Sequence, residues 1–152
     1  MTAPENRPRD ALGRPLARDE QGIDHGINVD AVRSATDALD TAQDLLDRGF
    51  PFAAHEVLEA RWKAGPPDER DWWQGLAQTC VALTHAMRGN HVGSDQLLRR
   101  ARLTLQEGDS HAGASGSFAT SAIMMWIDDA LACLHNGTDL PRLVVNRTVD
   151  TA

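Results

Sequence analysis

Apolar residues recur along most of this chain at spacings of three and four. From Asp30 onward Val32, Ala35, Leu39, Ala42, Leu45 and Leu46 fall on one side of a helical projection, with Asp37, Asp40, Asp44 and Asp47 filling other positions. This predicts an amphipathic helix that starts near Asp30 and stops at Gly49, with Pro51 in the first turn of the next. A second helix is predicted from Pro51 to Lys63, ended by Gly65-Pro66-Pro67, and a third from Asp68 to Arg88, closed by Gly89-Asn90. A fourth runs from His91 to Gln106 on a stripe of Leu97, Leu98, Ala101 and Leu105. The stretch GDSHAGASGS then reads as a loop too small and flexible to pack, and a last helix covers Phe118 to His135.

Short connections make successive helices antiparallel, so the expected fold class is all-α: an antiparallel up-and-down helical bundle of about five helices. Residues 1–28 are rich in Pro, Arg, Gly and Asp without any period and are expected to form an extended or disordered arm, or to clip onto the helices through Ala11, Leu12 and Leu16. The bundle domain is expected over 29–137 and an irregular tail over 138–152.

Composition supports this picture. Ala and Leu are abundant, there is no Tyr, and a single Lys63 stands against fourteen arginines. The net charge of −7 is dispersed, which argues against nucleic acid or an anionic membrane as partner. No apolar run approaches the roughly eighteen residues that a membrane span needs, and the start of the chain has no signal-peptide core, so a cytoplasmic location is expected. Cys80 and Cys133 sit far apart inside apolar helical patterns and are read as buried, reduced residues.

Projection of the second helix places Phe52, His55, Leu58, Glu59 and Trp62 in one direction, so two ionisable groups share a face with three large apolar ones. Such groups must pair, bind something, or sit at a water-filled opening. On the third helix Gln74, Gln78 and His85 form a polar stripe beside a face of Trp73, Leu76, Ala77, Cys80, Thr84 and Met87. Gly75, Ala82 and Ala86 form a small-residue face behind it, a pattern expected of a central helix. Trp72 and Trp73 in tandem suggest one indole inside and one outside.

Two readings of the polar residues stay open. In one, His55, Glu56, Glu59, Trp62, Gln74, Gln78 and His85 line a site for a small polar ligand, or His55, Glu59 and His85 hold a divalent metal such as zinc, iron or manganese. In the other they form a hydrogen-bond network that fixes helix register, with the Trp indoles joining in. The protein is then a helical interaction module with an exposed apolar groove for a protein partner, and in either case a monomer or homodimer. A hydrolase using Glu56 or Glu59 as general base and His85 as electrostatic partner is a third reading, since burial beside apolar rings raises a carboxyl pKa. His-Glu-Val-Leu-Glu lacks the second His of the zincin motif, no helix carries the Glu-x-x-His of di-iron bundles, and no Walker or nucleophile-elbow sequence is present.

The run from Pro51 to Leu105 resembles the small helical domain-of-unknown-function family 309, whose motif centres on His-Glu-x-x-Glu-x-x-Trp. His55, Glu56, Glu59 and Trp62 fit that motif, followed by Gln74-Gly75-Leu76, His85 and Arg88-Gly89-Asn90, and the similarity covers about residues 40 to 107. The arm sequence RPRDALGRPL resembles the leader of actinobacterial members. The resemblance implies an all-α fold and a bacterial source, and it implies no activity.

Overall fold

The computed structural model describes residues 25–111 and 120–146, the side chains of 109–111 excepted. Ala11, Leu12 and Leu16, like most of the Gly/Ser stretch, lie outside the described residues. Among the described residues there are five α-helices: α1 Ala35–Asp47, α2 Pro51–Ala64, α3 Arg70–Met87, α4 His91–His111 and α5 Thr120–Asn136. A 3₁₀ turn, Pro67–Glu69, precedes α3, and there is no strand among the described residues. The all-α class is therefore as the periodicity predicts.

α1 starts later than predicted. Ser34 takes the N-cap position, its Oγ accepting the Asp37 backbone N–H at 3.2 Å, and Asn28 accepts the Asp30 N–H to hold the preceding turn. Val32 is consequently not on the helical stripe and is 76% exposed. The predicted stops at Gly49 and Gly89 hold, since both adopt positive φ (+88° and +83°), which lets the chain turn straight into the next helix.

Consecutive helices pack against one another, and α3 touches α2, α4 and α5. The contacts fix an antiparallel register between α3 and α4. Ser94 Oγ donates to Ala82 O near one end, and Gly75 faces Leu105 and the carbonyl of Ala101 near the other. A Cβ on Gly75 would fall 2.6 Å from Leu105 Cγ, so the small-residue face of α3 is what lets α4 approach closely. α4 also continues beyond Gln106, into the segment expected to be a loop. Gly108 is buried where a Cβ would meet Asp71 Cβ at 3.0 Å, which makes it a packing residue rather than part of a linker.

The core is built from Ala38, Leu39, Ala42 and Leu45 of α1, Ala54, Val57 and Leu58 of α2, Trp72, Trp73, Leu76 and Cys80 of α3, Leu98, Ala101 and Leu105 of α4, and Ile123, Trp126 and Ile127 of α5. Both tandem indoles are inside, at 3% and 0% exposure, which corrects the inside-outside expectation. They meet edge to face with centroids 4.9 Å apart, and the Trp72 Nε1–H reaches Thr120 Oγ1 at 3.0 Å. Of the cysteines, Cys80 is fully buried while Cys133 is only partly so. Burial pushes the Cys80 thiol up to about 12. Iodoacetamide on the native protein is therefore expected to alkylate Cys133 well before Cys80, as read by peptide mass spectrometry; equal labelling would mean that α3 is not in the core.

Residues 138–146 have no regular structure, yet they pack. Leu143 and Val145 are each 3% exposed, and the side-chain amide of the buried Gln43 grips the segment at both ends. Gln43 Nε2 donates to Leu143 O at 3.1 Å and Gln43 Oε1 accepts the Val145 N–H at 2.7 Å. Arg142 adds a two-point ion pair with Asp47, and the Trp126 Nε1–H reaches Pro141 O.

Candidate functional site

α2 turns only part of its predicted face to the core. Its buried residues are Pro51, Ala53, Ala54, Val57 and Leu58, so Leu58 goes inside while the inward direction is rotated by roughly a third of a turn from that of Phe52, His55, Glu59 and Trp62. Those four are only partly buried. Arg61, one residue outside the predicted set, lies on the inward face instead. Its guanidinium sits 5.5 Å from the Trp73 ring centroid, Nη2 pairs with Glu69 Oε1 at 3.3 Å and Nη1 reaches Arg33 O. Glu69 Oε1 also accepts the Trp73 Nε1–H at 3.0 Å. This Arg61–Glu69–Trp73 knot ties the α2–α3 turn and was not legible as a site; the only signal for it is the seven-residue spacing from Ala54 to Arg61 on a helix whose small residues face inward.

His55 and Glu59 do meet. The imidazole Nε2 lies 3.0 Å from Glu59 Oε2, its Nδ1 is 3.1 Å from Phe52 O, and Lys63 Nζ donates to Glu59 Oε1 at 2.8 Å. The three side chains form a chain along one face of α2, each a helical turn from the next. The Lys63 ammonium, with His55 acting in the same direction, holds the Glu59 carboxyl below the usual carboxylate range, against a smaller opposing effect of burial. This corrects the premise of a general base tuned toward neutrality: Glu59 is a stabilised carboxylate.

His85 takes no part in that chain. It occupies the last turn of α3, where its Nδ1 lies 3.2 Å from Asn90 Nδ2 and Asn90 Oδ1 in turn accepts the Gly93 N–H. Among the described residues no group of three or more His, Cys, Asp or Glu side chains could hold a metal ion. Gln74 and Gln78 are partly buried on the α3 stripe, and the Gln78 Oε1 is buried with no hydrogen-bond partner. Glu56, Glu59 and Lys63 line a shallow groove beside Asp30 and Val32, to which neither His55 nor His85 contributes.

A second concavity lies at the other end of the bundle. A cleft of about 370 Å³ opens between the ends of α1 and α3, the start of α4 and the segment after α5. Leu46, Leu83, Ala86, Met87, Leu140 and Leu143 supply its apolar walls. His91, Asp139 and the Asp47–Arg142 pair stand at its polar positions, and Met87 is 48% exposed. Sequence reasoning placed Met87 on the core face and had no means of seeing that residues 140–143 fold back to make a wall.

Exposed helix pairs contribute at most about 1 kcal/mol, and Glu59 and Lys63 are 35% and 67% exposed. Glu59→Gln is thus expected to shift stability by no more than that, and His55→Ala, at a position only 16% exposed and packed on Phe52, by somewhat more through lost packing. Because the Glu59 pKa is lowered on folding, its contribution is present above the ordinary carboxylate pKa and lost as the pH falls through the lowered value. Thermal melts from neutral to acid pH should therefore show a smaller acid-side loss in Glu59→Gln than in the wild type. A loss of several kcal/mol at neutral pH in either variant would mean a deeper role.

What the fold and the clefts define is a small helical domain of consecutive antiparallel hairpins, with a polar chain on one helix and an apolar cleft at the hairpin ends. Over residues 39–97 the sequence matches the family described as Domain of unknown function (DUF309). The polar chain, Trp73 and most of the cleft's helical wall fall within this range, whereas α5 and the folded-back segment lie beyond it. The chain is also similar to the uncharacterized protein YpuF of Bacillus subtilis, 41% identical over 56 residues that amount to 36% of this chain and 32% of the relative. It thus spans about a third of that relative's length. No solved structure matches.

Proposed function

We infer that this protein is a helical interaction module that takes an apolar protein segment into the cleft between α1, α3, α4 and residues 138–143. The observation that carries the reading is the cleft itself, whose walls are largely apolar and whose rim holds a half-exposed Met87. Methionine adapts its shape to irregular partners and is favoured at surfaces that accept more than one. The His55–Glu59–Lys63 chain is in this reading structural: the His55 and Glu59 side chains are turned toward each other and Lys63 bonds the second carboxylate oxygen, which leaves no open set of converging ligands.

The test is selection of binders from a random peptide library on the full chain, followed by calorimetry of the selected peptides against wild type and Met87→Asp. Peptides rich in aliphatic residues are expected, losing affinity by about tenfold or more in Met87→Asp while its thermal melt stays close to wild type. Selected peptides indifferent to Met87→Asp, or dependent on Lys63 instead, would contradict the reading. The metal alternative is tested by thermal melts with added zinc, iron or manganese: the expected result is no stabilisation, and a shift abolished by His55→Ala would revive it.

A further inference from the structure

The segment that enters the described fold at His25 does so beside the apolar cleft. The His25 carbonyl accepts a hydrogen bond from Arg48 Nη2 at 2.9 Å, and its ring meets the edge of Phe50 with centroids 5.5 Å apart. Leu46 and Asp47, which line the cleft, belong to the same turn. Residue 16 is nine positions upstream of His25, and nine residues span up to about 30 Å, some three helix diameters. The cleft is therefore within reach without any rearrangement of the bundle.

The chemistry matches as well as the reach. Residues 7–18, RPRDALGRPLAR, set two leucines among four arginines and one aspartate. Their net charge is +3 in a chain of net −7, so the rest carries −10. A basic segment bearing aliphatic residues on an acidic domain is attracted to it over about a Debye length, and tethering adds a high effective concentration. At the cleft, Leu46, Leu83, Met87 and Leu140 offer an aliphatic floor. Asp139 stands beside it, next to the Asp47–Arg142 pair.

On this basis, and resting on the reading of the cleft as an interaction surface, we propose that residues 7–18 of the same chain occupy it. Leu12 and Leu16 supply aliphatic side chains suited to the floor, and the arginines supply positive charge suited to Asp139 at its edge. An external partner then competes with a segment the protein carries itself, and binds in proportion to the fraction of cleft left open.

The experiment uses the full chain with the photo-crosslinking residue benzoylphenylalanine in place of Leu16, irradiated at low protein concentration and mapped by mass spectrometry. The expected result is an intramolecular link to Met87 or Leu140, lost in the Arg14→Glu, Arg18→Glu double variant and weakened by salt. Links scattered over other helices, no link, or links between two copies that rise with concentration would overturn the proposal. Calorimetry gives a second readout, in which Leu12→Ser with Leu16→Ser tightens binding of library-selected peptides. If the cleft's peptides still depend on Met87 but neither the link nor the tightening is seen, self-occupancy falls and the interaction reading stands. If peptides ignore Met87 while the link forms, the converse holds.

Discussion

Replacing Trp73 by alanine is expected to cost about 3–5 kcal/mol, enough to unfold a large part of a domain of this size. The indole is fully buried and is a centre of packing between helices. Removing it opens a cavity and also strips two partners from one knot, because Trp73 Nε1 donates to Glu69 and its ring lies beneath Arg61. Arg61 is 16% exposed, so its charge stays largely buried with a less firmly held counterion. Trp73→Phe separates the two contributions. It keeps most of the ring's area and the cation–π contact but loses the hydrogen bond, and is expected to cost about 1–2 kcal/mol beyond its volume change. Denaturant melts followed by helical circular dichroism measure both. A loss of under 1 kcal/mol in Trp73→Ala would mean that the α2–α3 turn is held by something else.

The second large effect is at Gln43. Gln43→Leu keeps the volume but leaves the Leu143 carbonyl and the Val145 N–H without their partner, two buried backbone groups that cost about 1–3 kcal/mol each when unpaired. The segment has a cheaper way out, which is to leave the bundle and be hydrated, forfeiting the burial of Leu143 and Val145 at about 2 kcal/mol apiece. The smaller of these losses sets the ceiling, so a fall of about 2–4 kcal/mol is expected. It should be accompanied by faster amide exchange at Val145 and loss of one wall of the cleft. A variant whose Val145 amide stays protected would show that the Asp47–Arg142 pair and the Trp126 hydrogen bond suffice to hold the segment.

Gln43 shows where sequence pattern stops being informative. Its neighbours Leu39, Ala42 and Leu45 announce the inward face of α1, but a glutamine beside them reads as solvated until the segment a hundred residues away is seen to need it. The same limit applies to α2. Proline, glycine and the tandem prolines marked its ends correctly, because those signals are local. Its inward face is only partly legible from large apolar residues: close packing against α1 and α3 selects Ala53, Ala54 and Val57 beside Leu58 and leaves Phe52 and Trp62 on the flanks. His55 and Glu59 were legible as a pair, since spacing by four on a helix is enough to join them. His85 was not separable from them by sequence, because a stripe along α3 states direction and not the level at which α2 crosses it. The length of α4 was underestimated for a similar reason. Gly108 weakens a helix by propensity, and only its close approach to Asp71 and Trp72 explains why glycine is there.

The central claim is that the apolar cleft, and not the polar chain on α2, is the functional surface. It is tested most directly by measuring the binding of library-selected peptides to two variants in parallel, Met87→Asp in the cleft wall and His55→Asn in the polar chain. The account predicts that Met87→Asp weakens binding by about tenfold or more while His55→Asn leaves it unchanged. Unaltered binding in Met87→Asp together with loss in His55→Asn would contradict it.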